Sequence, residues 1–280
     1  QNFDELLKEL NSLIGLDNIK NEVRELMSLA KIDEMRKEKG LPTTDISLHM
    51  VFKGNPGTGK TMVARLISKM FKSLNVLSKG HLIETDRSGL VAGYVGQTAK
   101  KTAEMVEKAK GGVLFIDEAY TLSYKSENDY GREAIDTLLK LMEDLRRDLV
   151  VIVAGYDELM DGFISSNPGL KSRFNRFFHF EDYSDEELIN IFGLHLKKAG
   201  FLKGEGLDEA LAERLKNIDK ASFGNARGIR NLLEKALVRQ AVRLSNEKEL
   251  DEKSLITLEK EDILEPEQRA PENGANENLE

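Results

Sequence analysis

The chain has 280 residues, 40% hydrophobic and 32% charged, enough for a buried core and for more than one domain. It contains no cysteine, which excludes a disulfide framework, a zinc–thiolate centre and a cysteine nucleophile, and its longest apolar run, Leu149 to Gly155, falls far short of the ~20 residues that span a bilayer. The net charge of −8 is local: residues 247–280 carry 12 acids and 4 bases, so the rest is balanced and offers no general basic surface to nucleic acid.

The first residues, QNFDELLKEL, carry acids where a signal peptide has a basic stretch, so no export signal is expected and a cytoplasmic location is. Five β-rich runs follow: 48–54, 81–86, 112–118, 149–156 and 177–183. The third and fourth are almost wholly apolar, as central strands buried on both faces are. Amphipathic stretches at 62–74 and 132–148 carry apolar residues at helical spacing. Right-handed crossovers then build a five-stranded parallel sheet flanked by helices, an α/β domain over residues 1–183. Beyond Tyr183 no strand is expected. Ser184 followed by Glu187 signals a helix start, and LDEALAERLKNID and ARGIRNLLEKALVRQAVRL read as further helices. Residues 184–264 therefore form a small all-helical domain, and the acidic, aperiodic residues 265–280 a disordered tail.

The segment VFKGNPGTGKTM joins the first β-run to a helix. Gly54, Gly59, Lys60 and Thr61 match the pattern of a phosphate-binding loop in its required strand-to-helix context. Residues from Gly54 through Asn55, Pro56, Gly57, Thr58, Gly59, Lys60 and Thr61 to Met62 are the expected nucleotide contacts. Glycines let consecutive amides converge on an anion, and the helix N-terminus favours the same negative charge. Lys60 would neutralise the β and γ phosphates of ATP, while Thr61 would give a hydroxyl to Mg²⁺. The third β-run ends in Asp117 and Glu118, placing two acids at the sheet's carboxyl edge on a strand read as neighbouring the phosphate loop. Asp117 is the expected Mg²⁺ ligand, and Glu118 the base that accepts a proton from the attacking water.

These motifs, with LIGLDNIKNEV, LVAGYVGQTAKKT, VIVAGYDELM, NPGLKSRF and FGNARGIRNLLEKA, resemble the AAA+ ATPases over residues 10–264. Within that family the likeness is to the group of stage V sporulation protein K, red-type Rubisco activase and the ATPases of type VII secretion. The resemblance implies a P-loop AAA+ core followed by a helical lid, an ATP hydrolase, and a homo-oligomer, a hexamer, acting on a protein partner. It assigns Ile14, Gly15 and Leu16 to the adenine cradle. It assigns Arg173 to the arginine finger that reaches a neighbouring subunit's site, with Arg176 as the fallback, and Arg227 to the lid's sensor of the γ-phosphate, with Arg230 beside it. It places Tyr94, Val95 and Gly96 on a loop lining a central pore. Many members of the family end the fourth strand in an Asn that positions water. Here Gly155 and Tyr156 stand there, and either the Tyr156 hydroxyl substitutes or the group does without.

The resulting expectation is a hexameric motor that grips a polypeptide with Tyr94 and Val95, since an aromatic ring grips without regard to sequence. A DNA-directed motor of the clamp-loader or branch-migration type and a slow nucleotide-dependent switch are the alternatives. The neutral body and acidic tail oppose the first, and the acid pair opposes the second. His49, His81, His179 and His195 are scattered, so Mg²⁺ is the one metal expected.

Overall fold

The computed structural model describes residues 1–44, 46–125 and 130–264; the tail expected at 265–280 lies outside them. The chain divides into two compact units, one ending at Asp182 and one starting at Tyr183.

The first unit opens with α1 (Phe3–Asn11) and α2 (Asp17–Glu38) and continues through β1 (Met50–Gly54), α3 (Lys60–Ser73), β2 (Leu82–Thr85), α4 (Arg87–Leu90) and α5 (Thr98–Ala109). Next come β3 (Val113–Ile116), a 3₁₀ turn (Ala119–Ser123), α6 (Tyr130–Asp144), β4 (Val150–Gly155), α7 (Asp157–Ser165), α8 (Pro168–Arg173) and β5 (Arg176–Phe180). All pairings are parallel and the strand order is β2-β3-β4-β1-β5, so every strand ends on the same edge. The two strands read as central, β3 and β4, are buried throughout, and the edge strands β2 and β5 are not. Alternation sends Val51, Leu114, Ile116, Val151 and Val153 into one core with Val106 of α5, Leu138 of α6 and Phe163 of α7. The opposite face carries Phe52, whose ring lies 4.9 Å from Phe180 and 5.3 Å from Phe178. There α1 and α2 pack on α3. The helix expected over 132–148 ends at Asp144. Asp148 turns away because its carboxylate accepts the Ser78 N–H (2.8 Å) and hydroxyl (2.6 Å), and its carbonyl accepts the Gly111 N–H (2.7 Å).

His49, just before β1, is a buried polar link in this core. Its Nδ1 accepts the Val151 N–H at 2.9 Å, and its ring lies 5.8 Å from that of Phe174. Burial, then the charge of Arg173, pushes its pKa down to about 4. The unfolded chain, with an ordinary His pKa near 6.5, therefore binds more protons than the folded one between about pH 4 and pH 6.5. Stability from this group is complete above about pH 6.5 and falls by roughly 3 kcal/mol as the pH drops to about 4. Melting curves from pH 7.5 to 4.5 should show that fall, and His49→Gln, whose amide can still accept the Val151 N–H, should flatten it. Parallel pH curves for the two proteins would refute the assignment.

The second unit contains α9 (Asp185–Lys198), β6 (Leu202–Lys203), α10 (Leu207–Lys216), α11 (Lys220–Phe223), α12 (Ala226–Ser245), α13 (Glu252–Ile256), β7 (Thr257–Leu258) and α14 (Lys260–Ile263). Ser184 starts α9 with both hydrogen bonds of a capping box. Helices α9, α10, α12 and α14 pack around Phe192, Leu211, Leu215, Ile229 and Ile263. The expectation of an all-helical unit needs a correction, because β6 and β7 pair in parallel. The buried backbone of Thr257 and Leu258 needs partners, and takes them from β6 and from the Gln240 side chain, which donates to the Thr257 carbonyl at 2.7 Å. Arg243 closes α12 onto α14 with two bonds, 2.9 and 3.0 Å, to the carboxylate of Asp262, which is 1% exposed. No helix among the described residues is long and apolar enough to cross a membrane.

Candidate active site

Gly54 ends β1 with φ 151°, and a Cβ there would lie 2.4 Å from the Phe180 carbonyl oxygen. The pairing of β1 with β5 thus admits no side chain at the loop's entry. Gly57 (φ 74°) and Gly59 (φ 95°) take left-handed conformations that turn the loop back on itself. Thr58 is fully buried and its hydroxyl donates to the Asn55 carbonyl at 2.8 Å. Lys60 Nζ donates to the carbonyls of Gly54 and Asn55, both at 2.8 Å, so the ammonium lies over the loop it belongs to. The 14 residues of α3 begin at Lys60 and present its N-terminal amides and partial positive charge at the same place. Asn55 is exposed and Nδ2 spans both carboxylate oxygens of Asp182 at 3.0 and 3.1 Å. Pro56 and Thr61 are half-buried and Met62 is exposed. The Thr61 hydroxyl has no hydrogen-bond partner among the described residues, which leaves an oxygen donor available for a cation.

Asp117 and Glu118 follow β3 directly. The Asp117 N–H donates to the Thr85 carbonyl at 2.9 Å, and Asp117 Oδ1 accepts the Glu118 N–H at 2.9 Å. Glu118 has φ 48° and ψ 43°, a left-handed conformation that costs a non-glycine residue ~1–2 kcal/mol. The 3₁₀ turn holds it there, because the Glu118 carbonyl accepts the Thr121 N–H at 3.0 Å and hydroxyl at 2.7 Å. The expectation that these acids sit on the strand next to the phosphate loop is corrected: β4 lies between β3 and β1. The two motifs share an edge of the sheet, with the end of β4 between them. Tyr120, two residues past Glu118, is 6% exposed, and its ring lies 6.1 Å from Tyr124 and 6.3 Å from Tyr156. Burial, then the charge of Glu118, pushes its pKa up to about 12, so the phenol keeps its proton.

A cleft of about 480 Å³ runs from Glu118 and Thr121 to Asp86, Arg87, Val91 and Gly93. It joins the acidic pair to the base of the loop between α4 and α5. Arg87 Nη1 braces it by donating to the Thr121 carbonyl at 2.7 Å. The Ala92 N–H, donating to Thr98 Oγ1 at 3.1 Å, closes the base of that loop. At its tip Tyr94 is 74% and Val95 83% exposed, so neither packs beneath the loop. Gly96 takes φ 77° with no atom near where a Cβ would be.

The remaining expected residues lie on other elements. Gly15 (φ 63°) and Leu16 (φ 60°) form two successive left-handed residues, with half-buried Ile14 before them and α2 starting after. The turn is stapled by Lys20 Nζ on the Leu13 carbonyl. Arg173 ends α8 half-buried. Its Nη1 donates to the Gly169 carbonyl at 3.3 Å, and its Nε is sealed from solvent without a partner. Arg176 sits on β5 with Nε on the Ser47 carbonyl at 3.1 Å. In the second unit, Arg227 and Arg230 are exposed one turn apart on α12. Among the described residues no group of three or more His, Asp or Glu side chains forms a metal cluster.

Residues 50–182 match the model of the ATPase family associated with various cellular activities (AAA), and residues 184–273 match the AAA lid domain. The chain is 42% identical over 263 residues to stage V sporulation protein K of Bacillus subtilis, covering 92% of this chain and 82% of that one. It is 43% identical over 268 residues to the chloroplastic ribulose bisphosphate carboxylase/oxygenase activase of Cyanidioschyzon merolae, covering 94% and 91%. This chain belongs to the AAA ATPase family. The crystal structure of the FIGL-1 AAA domain in complex with ADP superposes with a TM-score of 0.63 at 18% identity, over 90% of this chain and 80% of that one, a likeness of fold.

For an AAA ATPase the bound nucleotide is ATP or its product ADP, and the cradle fits one: a glycine-turned loop, a lysine over it and a helix N-terminus behind it. Sequence reasoning passed over Tyr120 and Arg87. Tyr120 lies just past the end of the third β-run and Arg87 just past the end of the second. Their signal is spatial, since Tyr120 lies in the short turn that follows Glu118 and Arg87 bonds to that turn.

Proposed function

We propose that this AAA ATPase works as a hexamer that remodels a partner protein, drawing on polypeptide with Tyr94 and Val95. The observation that carries this reading is the loop itself. An aromatic and a β-branched residue stand 74% and 83% exposed on a loop ending in a left-handed glycine, and its base shares a cleft with Glu118. An aromatic and an aliphatic side chain standing together at a loop tip offer an extended chain an apolar contact that does not depend on its sequence. Support for a protein target comes from the activase relative, whose name states one, and from the balanced charge of residues 1–246, which opposes a nucleic-acid track. A cytoplasmic site of action accords with the absence of cysteine.

In this reading the loop amides from Gly54 to Thr61 and the Lys60 ammonium hold the β and γ phosphates. Ile14, Gly15 and Leu16 hold the adenine, and Pro56 and Met62 border the nucleotide. Thr61 and Asp117 hold Mg²⁺, which when bound neutralises phosphate charge. Glu118 accepts the proton of the attacking water. Arg173 of a neighbouring copy stabilises the charge on the γ-phosphoryl oxygens, and Arg227 senses the γ-phosphate from the lid. For Arg227 the support is the family resemblance.

The test uses an unfolded polypeptide, fluorescent β-casein, with the hydrolysis-deficient Glu118→Gln chain and ATP. Binding is expected, and adding Tyr94→Ala should weaken it at least about tenfold, equivalent to ~1.4 kcal/mol. ATP turnover per chain should also rise with protein concentration, because a site shared between copies needs assembly. Equal casein binding with and without Tyr94 would rule out the grip, and turnover independent of concentration would rule out the shared site.

A further inference from the structure

Gly155 closes β4 between the phosphate loop and the acidic pair. Its backbone is not left-handed, so conformation alone does not require a glycine. Space does. A Cβ added there would lie 2.7 Å from Cε1 and 2.8 Å from Cδ1 of Tyr120, and 2.8 Å from Sδ of Met160. The end of the strand is therefore shaped around the Tyr120 ring. The rings of Tyr124 and Tyr156 stand 6.1 and 6.3 Å away and limit its movement further.

So tightly held a phenol normally gives its hydroxyl a protein partner. Among the described residues the Tyr120 hydroxyl has none, yet it is not among the polar atoms sealed from solvent. The ring is buried and its polar tip is open. That tip belongs to the 3₁₀ turn whose first hydrogen bonds are accepted by the Glu118 carbonyl, so its position is tied to that of Glu118.

We propose that Tyr120 is a further catalytic residue of ATP hydrolysis, its hydroxyl hydrogen-bonding the attacking water opposite Glu118. The inference rests on the reading of Glu118 as the base. A water has two hydrogens; one points at the Glu118 carboxylate and the other at the Tyr120 oxygen, which leaves an oxygen lone pair for the γ-phosphorus. The water gives its proton to Glu118, its oxygen bonds the phosphorus, and the bond to the bridging oxygen breaks with its electron pair left on ADP. Tyr120 keeps its own proton throughout. The hydroxyl is a tether for the nucleophile, and Gly155 is the space that lets the tether stand there.

Tyr120→Phe keeps the ring and removes the hydroxyl. In the full chain it should lower kcat for ATP roughly 10- to 100-fold, with KM for ATP, ADP affinity and melting temperature unchanged. Glu118→Gln and Tyr156→Phe are measured beside it, the latter because its side chain is the other phenol at the end of β4. Full turnover by Tyr120→Phe while Glu118→Gln is inactive overturns this inference alone. Full turnover by Glu118→Gln overturns the reading beneath it as well. Loss of turnover in Tyr156→Phe instead of Tyr120→Phe assigns the tether to the wrong phenol and overturns the proposal. If Tyr120→Phe lowers the melting temperature, Gly155→Ala decides. It should reduce kcat in the parent chain and have little further effect in the Tyr120→Phe background, whereas equal losses in both backgrounds overturn the proposal.

Discussion

Glu118→Gln should lower ATP turnover by about 10²- to 10⁴-fold while leaving nucleotide binding intact. Gln has nearly the shape of Glu, occupies the same left-handed backbone position and keeps an oxygen that accepts hydrogen bonds, but at neutral pH it accepts no proton. The substitution therefore removes one chemical step and little else. The Glu118 side chain is exposed, and the bonds that hold the turn come from its carbonyl to Thr121, which the substitution does not touch. Stability should hold for the same reason. The measurement is steady-state phosphate release beside the affinity for a fluorescent ATP analogue. A drop in kcat with affinity kept supports the base. A drop in affinity of the same size places Glu118 in nucleotide binding instead, and unchanged turnover removes it from the chemistry.

The phosphate loop and the acid pair were legible because their chemistry demands consecutive residues. Glycines, a lysine and a hydroxyl must be adjacent to wrap one phosphate chain, and two acids at the end of an apolar strand are conspicuous for the same reason. The parallel sheet was legible from five β-rich runs alternating with helical ones. Strand order was not, since nothing local in GVLFIDE states that β4 comes between it and β1. The strands β6 and β7 are two residues each, too short for a period-2 pattern to exist. At Gly155 the sequence offered only the lack of the Asn that many AAA+ members carry. In the fold the same glycine is explained by a neighbour 35 positions away in the chain, a ring that a Cβ would strike. His49 was likewise one of four scattered histidines until β1 and β4 brought it to the Val151 amide. What escapes a sequence is the residue whose role is set by something distant.

Arg173→Ala should lower ATP turnover by ~10³-fold or more, the scale of an arginine that neutralises charge on a transferring phosphoryl group. The side chain has little structural work to lose. Nη1 makes one long bond of 3.3 Å to the Gly169 carbonyl, and Nε is sealed without a partner, an arrangement that costs ~1–3 kcal/mol. A guanidinium so poorly satisfied in its own chain has reason to leave that position when an anion is offered by another copy. Arg176, the fallback, is anchored on the Ser47 carbonyl within the sheet and has less freedom to do so. The decisive measurement mixes two inactive chains. In a hexamer of Arg173→Ala and Glu118→Gln copies, a site with an intact Glu118 can sit beside a neighbour with an intact Arg173. Mixing should therefore restore turnover that neither variant has alone, up to a fraction fixed by how often the two are correctly paired. A mixture as inactive as its components would mean that Arg173 acts within its own copy or only supports α8. Activity in Arg173→Ala alone, with loss in Arg176→Ala, would move the finger to β5.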